Sequence, residues 1–474
     1  MFTLFDEHLD AFARQTVADH RSFSAGDWNA ERTARHQTEA LRRTLRYVRD
    51  HSPFYAKRLA EFDTDRIDHL TPEDLPDVPF TTKDDLREHT FDLLSRPVHD
   101  AWIFYETTGT TGPSTPCPRD NVDSLVNNTA LTFCYDEVFR SHGDDHVVAV
   151  MGPTELHSTG DTFGDVCRNL GRAVVKMWPH SPVVGFGRAL EVLRELRVTA
   201  VFCTPGMALS LAKEATAAGL DPARDFSIRF FMLTGELTTP GLLRRIGDVW
   251  GAKAHNCLYA SQEASVLGAV EADGRLRTVP LNVLYEVVDP VTGRPVPKTS
   301  GTRQGELVVT HLYQGSKPLV RYRTGDLVRL TDPAPEDRYP SPTLLPLGRV
   351  RDRIELGGEL VSAYELEETV LAQATGCADY ALTIDTDEDG TDVLTVALEP
   401  AHGHAAADAV DERIRQAVQE RWRCRARVVH ERLGAITTTG AMVSWKAARL
   451  HDLRQEANGE RRAAMALARH RESR

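Results

Sequence analysis

The sequence predicts an α/β protein with a large, multi-layer N-terminal domain over residues 1–347 and a small C-terminal α+β domain over residues 348–474. Three observations lead to this prediction. The 474-residue chain is too long for one ordinary hydrophobic core. Apolar runs alternate with helical patterns from about residue 120 to 260, which is typical of parallel-type sheets covered by helices. Beyond residue 280, short strands and turns predict a β-rich subdomain within the large domain.

The first 100 residues are predicted to be mainly helical. Leu41, Leu45 and Val48 recur at the spacing of one helix face. Prolines interrupt the segment that follows, at positions 53, 72, 76 and 79. The apolar run Trp102-Ile-Phe-Tyr105 then predicts a short buried strand.

The strands of the parallel sheet are predicted at four apolar runs, which are residues 146–151, 200–203, 229–233 and 254–259. Helical patterns at residues 188–196 and 207–218 lie between some of them. Polar or glycine-containing sequence follows each run. Because ligands of such sheets bind beyond the carboxyl ends of the strands, several of these loops are expected to meet at one site.

Further along the chain, the pattern changes to strands and turns. Strands of the β-rich subdomain are predicted at residues 284–288, 305–311 and 320–330. The small domain is predicted to contain a hairpin over residues 379–398, and then a helix and a strand within residues 408–430.

The composition restricts the class of protein. A formal net charge of −13 argues against nucleic-acid binding, which relies on a surplus of Lys and Arg, and makes small molecules the expected partners. Seven dispersed cysteines without a Cys-x-x-Cys pair suit a reducing compartment and provide no zinc framework. No signal peptide or membrane-spanning run is recognised in the sequence. We therefore expect a cytoplasmic enzyme that does not associate with membranes.

The segment Thr107-Thr-Gly-Thr-Thr-Gly-Pro-Ser-Thr115 is the strongest candidate for a binding loop. Its glycines allow close approach of the backbone to a ligand, and its N–H and O–H groups can converge on anionic oxygens. It lacks the Gly-Lys-Ser/Thr ending of a Walker loop. Such composition also occurs in solvated turns, so the prediction of a phosphate cradle depends on the motifs that accompany it.

Five further segments accompany this loop, and they are Thr234-Gly-Glu236, Tyr259-Ala-Ser-Gln-Glu263, Gly305–Thr310, Tyr322–Leu327 and Gly348–Asp352. In this order and spacing they resemble the adenylate-forming superfamily of acyl-CoA synthetases, adenylation domains and luciferases. Within it, Arg43–Tyr55 and Leu75–Leu86 resemble the N-terminal signature of the phenylacetate-CoA ligase group.

The resemblance implies ATP-dependent activation of an aryl or other carboxylic acid. An acyl-adenylate would form with release of pyrophosphate, and CoA would be the second substrate. Mg²⁺ would be required, because negative charge accumulates around the reacting phosphate. A homodimer is also what the resemblance suggests.

The family's functional residues map onto this chain by motif. Glu263 would hold Mg²⁺ together with Thr111, and Lys446 would reach the α-phosphate. Catalytic roles fall to Lys446, Glu263 and Thr108. The residues expected to bind the nucleotide are Thr107, Thr108, Gly109, Thr110, Thr111, Gly112, Glu236, Tyr259, Asp326 and Arg349.

The C-terminal domain is expected to be mobile, because its relatives rotate this domain between adenylation and transfer. Asp352 matches the hinge position, and Gly358 and Glu367 match the segment that enters the site for the second step. The acid pocket is expected to draw on the polar loop after residue 151. Its candidate residues are His157, Ser158, Asp161, Ala260 and Ser261.

The chain departs from the family pattern at several positions, among them Thr234 and Gly235, which replace Gly-Ala. Pro113 stands where the phosphate loop usually has Lys, Lys446 is displaced from the last glycine, and Ala260 replaces a Gly. Adenylation with a different second partner therefore stays open: a carrier-protein thiol, an amine, or nitrite activated to diazotise an arylamine. A non-catalytic ligand-binding relative is a further alternative.

Overall fold

The computed structural model describes residues 6–107, 114–401, 408–432, 434–436 and 448–454. The helices are α1 (Glu7–Ser24), α2 (Ala30–His51), α3 (Pro53–Arg58), α4 (Thr64–His69), α5 (Lys83–Glu88), α6 (Asn121–Ser141), α7 (Thr159–Asn169), α8 (Gly185–Glu195), α9 (Pro205–Ala217), α10 (Pro240–Trp250), α11 (Ala363–Leu371) and α12 (Asp408–Trp422). In this described part of the chain, none of the helices combines the length and apolar character that crossing a membrane requires.

The strands are β1 (Ile103–Glu106), β2 (Pro116–Arg119), β3 (Val147–Val150), β4 (Ala173–Lys176), β5 (Ala200–Cys203), β6 (Phe230–Thr234), β7 (Lys253–Ser261), β8 (Ser265–Val270), β9 (Leu276–Arg277), β10 (Val283–Val288), β11 (Thr302–His311), β12 (Tyr322–Thr331), β13 (Thr343–Arg349), β14 (Ile354–Leu356), β15 (Glu359–Val361), β16 (Cys377–Thr386), β17 (Asp392–Pro400), β18 (Arg425–His430) and β19 (Leu450–Asp452). The mixture of helices and strands confirms the predicted α/β class.

The chain divides into two compact units. The first unit comprises Met1–Asp144, Pro153–Gly171 and Leu258–Pro346. The second unit comprises Asp145–Gly152, Arg172–Cys257 and Leu347–Arg474. The residues from 347 onward are thus grouped with residues 172–257. The predicted division into domains at residues 1–347 and 348–474 stays a prediction.

The first unit combines the N-terminal helices with antiparallel strands. Leu41, Leu45 and Val48 on one face of α2 are buried, as their spacing predicts. β1 and β2 form a hairpin, and β10, β11 and β12 form an antiparallel meander. β8 pairs antiparallel with both β7 and β9. Of these strands, β10, β11 and β12 lie at the positions predicted for the β-rich subdomain.

The second unit contains a parallel sheet in which β3 lies between β4 and β5, and β5 also pairs with β6. β5 is buried along its whole length, which agrees with its unbroken apolar sequence. β4 is not among the predicted strands, since its apolar run is only three residues long, and in the structure its residues are mostly exposed. The C-terminal sheet has the order β18, β17, β16, β19, and its central hairpin occupies the predicted position.

Arg321 is a buried arginine of the first unit whose charge is neutralised by a carboxylate. Arg321 is 2% exposed, and its Nη2 lies 2.9 Å from Glu286 Oε1. The same guanidinium donates to the main-chain oxygens of Pro76 and Val78 at 3.0 and 2.6 Å. Arg321 therefore ties the segment before α5 to the β10 strand.

In the second unit, Asp379 is a buried carboxylate with three cationic neighbours. Its Oδ2 lies 2.6 Å from Lys213 Nζ, and its Oδ1 accepts from Arg449 Nη1 and lies 3.4 Å from Arg245 Nη2. Burial opposes ionisation, but these cations hold the pKa of Asp379 well below its ordinary value. The cluster joins α9 and α10 to the C-terminal sheet.

Removing the partner of Arg321 tests the importance of charge compensation. Glu286→Ala leaves a buried guanidinium without a carboxylate, so we expect the free energy of unfolding to fall by about 3 to 5 kcal/mol. Urea unfolding measures this loss. Asp10→Ala, which breaks an exposed ion pair with Arg14, should leave the unfolding midpoint unchanged. Equal midpoints for both variants would contradict the assignment.

Glu271 gives the fold a pH dependence of defined sign. Burial raises its pKa to about 8, although the Cys134 thiol donates a hydrogen bond to it and Arg277 lies nearby. Because the folded pKa lies above the ordinary value of 4.5, the stabilisation is full below pH 4.5 and is lost as the pH rises through 8.

Glu271→Gln should remove this dependence. We expect the stability of the natural protein relative to this variant to fall by about 4 kcal/mol between pH 4.5 and 8, as linkage requires. Urea unfolding across this range measures the difference, with Glu61→Gln at an exposed position as the control. Parallel pH profiles for the natural protein and Glu271→Gln would show that folding does not raise the pKa of Glu271.

Candidate functional site

The predicted phosphate loop is closed at its base by the β1–β2 hairpin. The N–H of Thr107 donates to the main-chain oxygen of Thr115 at 3.1 Å, and the N–H of Thr115 donates to Thr107 Oγ1 at 2.8 Å. The chain therefore enters and leaves the loop at one point. The other predicted members lie outside the described residues, and they are Thr108, Gly109, Thr110, Thr111 and Gly112.

Glu263 lies in the turn after β7, surrounded by donors of the first unit. Its Oε1 accepts from the Tyr322 hydroxyl at 3.0 Å and lies 3.7 Å from Lys83 Nζ. Burial opposes ionisation, yet Lys83, the Tyr322 hydroxyl and Lys317 together lower the pKa of Glu263. The carboxylate is therefore ionised at neutral pH.

Lys317 connects Glu263 with the strand that follows the loop. Its Nζ donates to the main-chain oxygen of Pro116 at 2.9 Å. Among the described residues, no cluster of three or more His, Cys, Asp or Glu side chains could hold a metal ion. Mg²⁺ is commonly held by one or two carboxylates together with substrate phosphates, so an ionised Glu263 beside this loop fits such a site.

Tyr259 and Asp326 are brought together in the first unit although they are 67 residues apart. The Tyr259 hydroxyl donates to Asp326 Oδ2 at 2.7 Å. Asp326 follows Gly325, whose φ of 74° is readily adopted by glycine. Glu306 accepts from the N–H of Gly325 at 3.2 Å and pairs with Arg323, so this buried carboxylate fixes the irregular part of β12 that presents Asp326.

A polar wall in the same unit contains two of the predicted acid-binding residues. The Tyr105 hydroxyl donates to Asp161 Oδ2 at 3.2 Å. His157 Nε2 lies 2.8 Å from the side-chain amide of Gln262. Burial, and to a lesser extent the charge of Arg119, lowers the pKa of His157 to about 4. His157 is therefore neutral at physiological pH.

The other predicted acid-binding residues have different surroundings. Ser158 precedes α7, and its main-chain oxygen accepts from the N–H of Thr162 at 2.8 Å. Ala260 is exposed. Ser261 Oγ accepts from the N–H of Ala264 at 3.0 Å, which shapes the turn that contains Glu263.

In the second unit, Glu236 lies at the N-terminus of α9. Its Oε2 accepts from the N–H of Gly206 at 3.0 Å, where helix geometry leaves backbone donors without partners. Arg349 ends β13, and Asp352 ends the 3₁₀ turn that follows it. Asp352 Oδ1 lies 3.7 Å from Arg351 Nε.

The residues expected to serve the second step also lie in the second unit. Gly358 is in the turn between β14 and β15, with a φ of 81°. Glu367 is buried in α11, where it accepts from Thr239 Oγ1 at 2.9 Å and from the Tyr380 hydroxyl. Lys446, predicted to reach the α-phosphate, lies outside the described residues.

Lys83, Lys317 and Tyr322 were not predicted as site residues. Lys83 opens α5 within the segment Leu75–Leu86, whose resemblance to relatives was recognised. In the sequence, the signal that could have pointed to Lys83 is its position after two threonines at the start of a helix. Lys317 carried no local sign of its role, since its partners come from other parts of the chain.

Comparisons with known proteins identify the family of this chain. The family described as AMP-binding enzyme matches residues 30–313. A phenylacetate-coenzyme A ligase of Thermus thermophilus is 31% identical over 349 residues, covering 71% of this chain and 74% of its relative. The phenylacetate-coenzyme A ligase of Pseudomonas putida is 28% identical, with coverage of 71% and 75%.

A solved structure shows the same fold. The crystal structure of a 2-hydroxyisobutyryl-CoA ligase in the postadenylation state has a TM-score of 0.74 to this chain. The two chains are 24% identical, and the match covers 94% of this chain and 93% of the other. From the family match and the curated relatives together, the chain belongs to the AMP-binding enzyme family and is an adenylate-forming ligase similar to the phenylacetate-coenzyme A ligases.

Proposed function

We propose that this ligase activates an aryl or other carboxylic acid with ATP and transfers the acyl group to CoA. The acid carboxylate attacks the α-phosphorus, pyrophosphate leaves, and the CoA thiol then displaces AMP from the acyl-adenylate. The observation that best supports the first step is the ionised carboxylate of Glu263, which lies 3.7 Å from Lys83 Nζ. Lys317 also lowers the pKa of Glu263, and its Nζ donates to Pro116 in β2, the strand that follows the Thr107–Thr115 loop.

The two lysines have a specific role in this proposal. Adenylation gathers negative charge on the phosphates and on departing pyrophosphate, and catalysis depends on cations that are already in position. Pro113 removes the lysine that relatives place in the loop. Lys83 and Lys317, which come from α5 and from the segment before β12, would restore the positive charge.

The remaining binding roles follow from residue chemistry. Glu263 would hold Mg²⁺ together with Thr111, and the bound ion would neutralise charge on the triphosphate. The Asp326 carboxylate would accept hydrogen bonds from ribose hydroxyls, with Tyr259 orienting it through the 2.7 Å hydrogen bond. Arg349 would assist Asp326, and Glu236 would act on the adenine side chiefly by fixing the start of α9.

Transfer to CoA is supported by the names of the relatives, which are coenzyme A ligases. We propose that the residues from 348 onward rotate about Asp352 between the two steps and that Lys446 serves the first. Breaking and reforming the Asp379 cluster would accompany such a rotation, because it joins α9 and α10 to the C-terminal sheet.

Product analysis with a panel of acids tests the proposed reaction. With ATP and Mg²⁺ we expect pyrophosphate and AMP to depend on one class of acid and to form without CoA, because adenylation precedes transfer. Mass spectrometry with CoA should then detect the acyl thioester.

Parallel reactions replace CoA with a carrier protein, with an amine, or with nitrite and an arylamine. No pyrophosphate with any acid would reject adenylation, whereas a product formed only with another acceptor would reject CoA.

Lys83→Met tests the proposed role of the N-terminal lysine. Loss of a charge-stabilising group typically lowers the rate by about 10² to 10³. Because Lys83 contributes to the lowered pKa of Glu263, its removal should also move the acid limb of the pyrophosphate-release profile to higher pH.

The control for this experiment is Lys57→Met, which removes an exposed lysine of α3. This variant should keep both the rate and the pH profile of the natural protein. A Lys83→Met enzyme that is slower at every pH by the same factor, with its acid limb unmoved, would show that Lys83 does not act on Glu263.

A further inference from the structure

Arg119 is a buried cation that lacks an anionic partner among the described residues. It ends β2 in the first unit and is 7% exposed. Its Nη2 donates to the main-chain oxygen of Gln262 at 3.3 Å, and its guanidinium lies 5.3 Å from the centre of the Tyr105 ring. No described carboxylate lies within ion-pairing distance of it.

This situation differs from that of the other buried arginines of the first unit. Arg321 pairs with Glu286 at 2.9 Å, and Arg277 pairs with Asp273 at 2.8 Å. A buried charge is costly unless an opposite charge and hydrogen bonds compensate it. A guanidinium kept buried without a carboxylate is therefore suited to an anion that arrives with a ligand.

A second donor without a partner lies beside Arg119. The N–H of Thr159 donates to His157 Nδ1 at 3.2 Å, so the neutral ring carries its proton on Nε2. The Gln262 side-chain atom 2.8 Å from His157 Nε2 must accept that proton, so we assign the amide oxygen to this position and turn the amide accordingly. The Gln262 NH₂ group then occupies the other branch of the side-chain amide, where the polar atom is buried and has no hydrogen-bond partner.

Arg119 lies away from Thr115, the described residue at which the phosphate loop ends. A strand advances about 3.3 Å per residue, so its Cα lies about 13 Å along β2 from Thr115 at the loop's end. Lys83 and Lys317 lie around Glu263, whereas Arg119 stacks on Tyr105, whose hydroxyl binds Asp161. Arg119 thus belongs to the polar wall assigned to the acid.

We propose that the Arg119 guanidinium, assisted by the Gln262 NH₂ group, binds a carboxylate of the acid substrate. The inference rests on the proposed function and adds a specificity residue to it. Arg119 binds either the carboxylate that is activated or a second carboxylate on the same molecule. The guanidinium presents paired donors in the geometry that a carboxylate accepts.

Binding and kinetics of Arg119→Gln test this proposal. The probes are phenylacetate, benzoate and isobutyrate, each compared with an analogue that carries a second carboxylate. Titration calorimetry without ATP measures acid binding, and pyrophosphate release measures KM. We expect acid affinity to fall about 10- to 100-fold, as for loss of a hydrogen bond to a charged group, while the KM for ATP is unchanged. Arg119→Lys should recover part of the affinity.

The two possible carboxylates give different results. If Arg119 binds the activated carboxylate, both members of each pair lose affinity by the same factor. If it binds a second carboxylate, the natural protein prefers the dicarboxylate and Arg119→Gln loses that preference. Unchanged acid affinity in Arg119→Gln, an equal loss of ATP affinity, or no binding of any acid by the natural protein would overturn the proposal.

Arg321→Gln is the matched control for a purely structural role. It removes an equally buried guanidinium whose carboxylate partner remains, so its melting temperature should fall. Arg119→Gln relieves an uncompensated charge and should melt at or above the temperature of the natural protein. A fall as large as that of Arg321→Gln would overturn the assignment. Acid binding that depends on Arg119 without AMP formation would reject only the proposed reaction.

Discussion

Compensation of buried charge is the constraint on which the rest of this structure depends. In the first unit, Arg321 holds the segment before α5 against β10 through Glu286, and Arg323 with Glu306 shapes the irregular part of β12 before Asp326. In the second unit, the carboxylate of Asp379 gathers cations from α9, α10 and the C-terminal segment. These interactions join separate segments of the chain, and each segment is held in place because moving it away would leave a buried charge without its partner.

The same constraint explains the electrostatics of the site. Glu263 is kept ionised against burial by Lys83, Lys317 and the Tyr322 hydroxyl, while His157 is kept neutral. These groups provide more positive charge than Glu263 alone can balance. Such an excess suits a site that receives a polyanionic nucleotide and a carboxylate, since both ligands bring the missing negative charge.

The N-terminal helical segment contributes Lys83 to the surroundings of Glu263. α5 begins at Lys83, and a capping box fixes its start. The side-chain oxygen of Thr82 accepts a hydrogen bond from the N–H of Asp85, and the Asp85 carboxylate accepts one from the N–H of Thr82. A lysine held in this way has fewer conformations to lose than one in a glycine-rich loop. Under the proposed function, Lys83 at the start of α5 would supply a cation in place of the loop lysine that Pro113 replaces.

The sequence by itself determined the α/β class, most strand positions and the family, because apolar runs and motif order are local properties of the chain. It also indicated Glu263, Tyr259 and Asp326, which stand in recognisable motifs. Only the tertiary structure decided which cations surround Glu263, that Tyr259 orients Asp326, and that Arg119 lacks a carboxylate partner among the described residues. The physical reason is that the charge around a buried group depends on all the residues near it in space. Those residues come from distant segments of the chain, and no local sequence pattern predicts which segments meet.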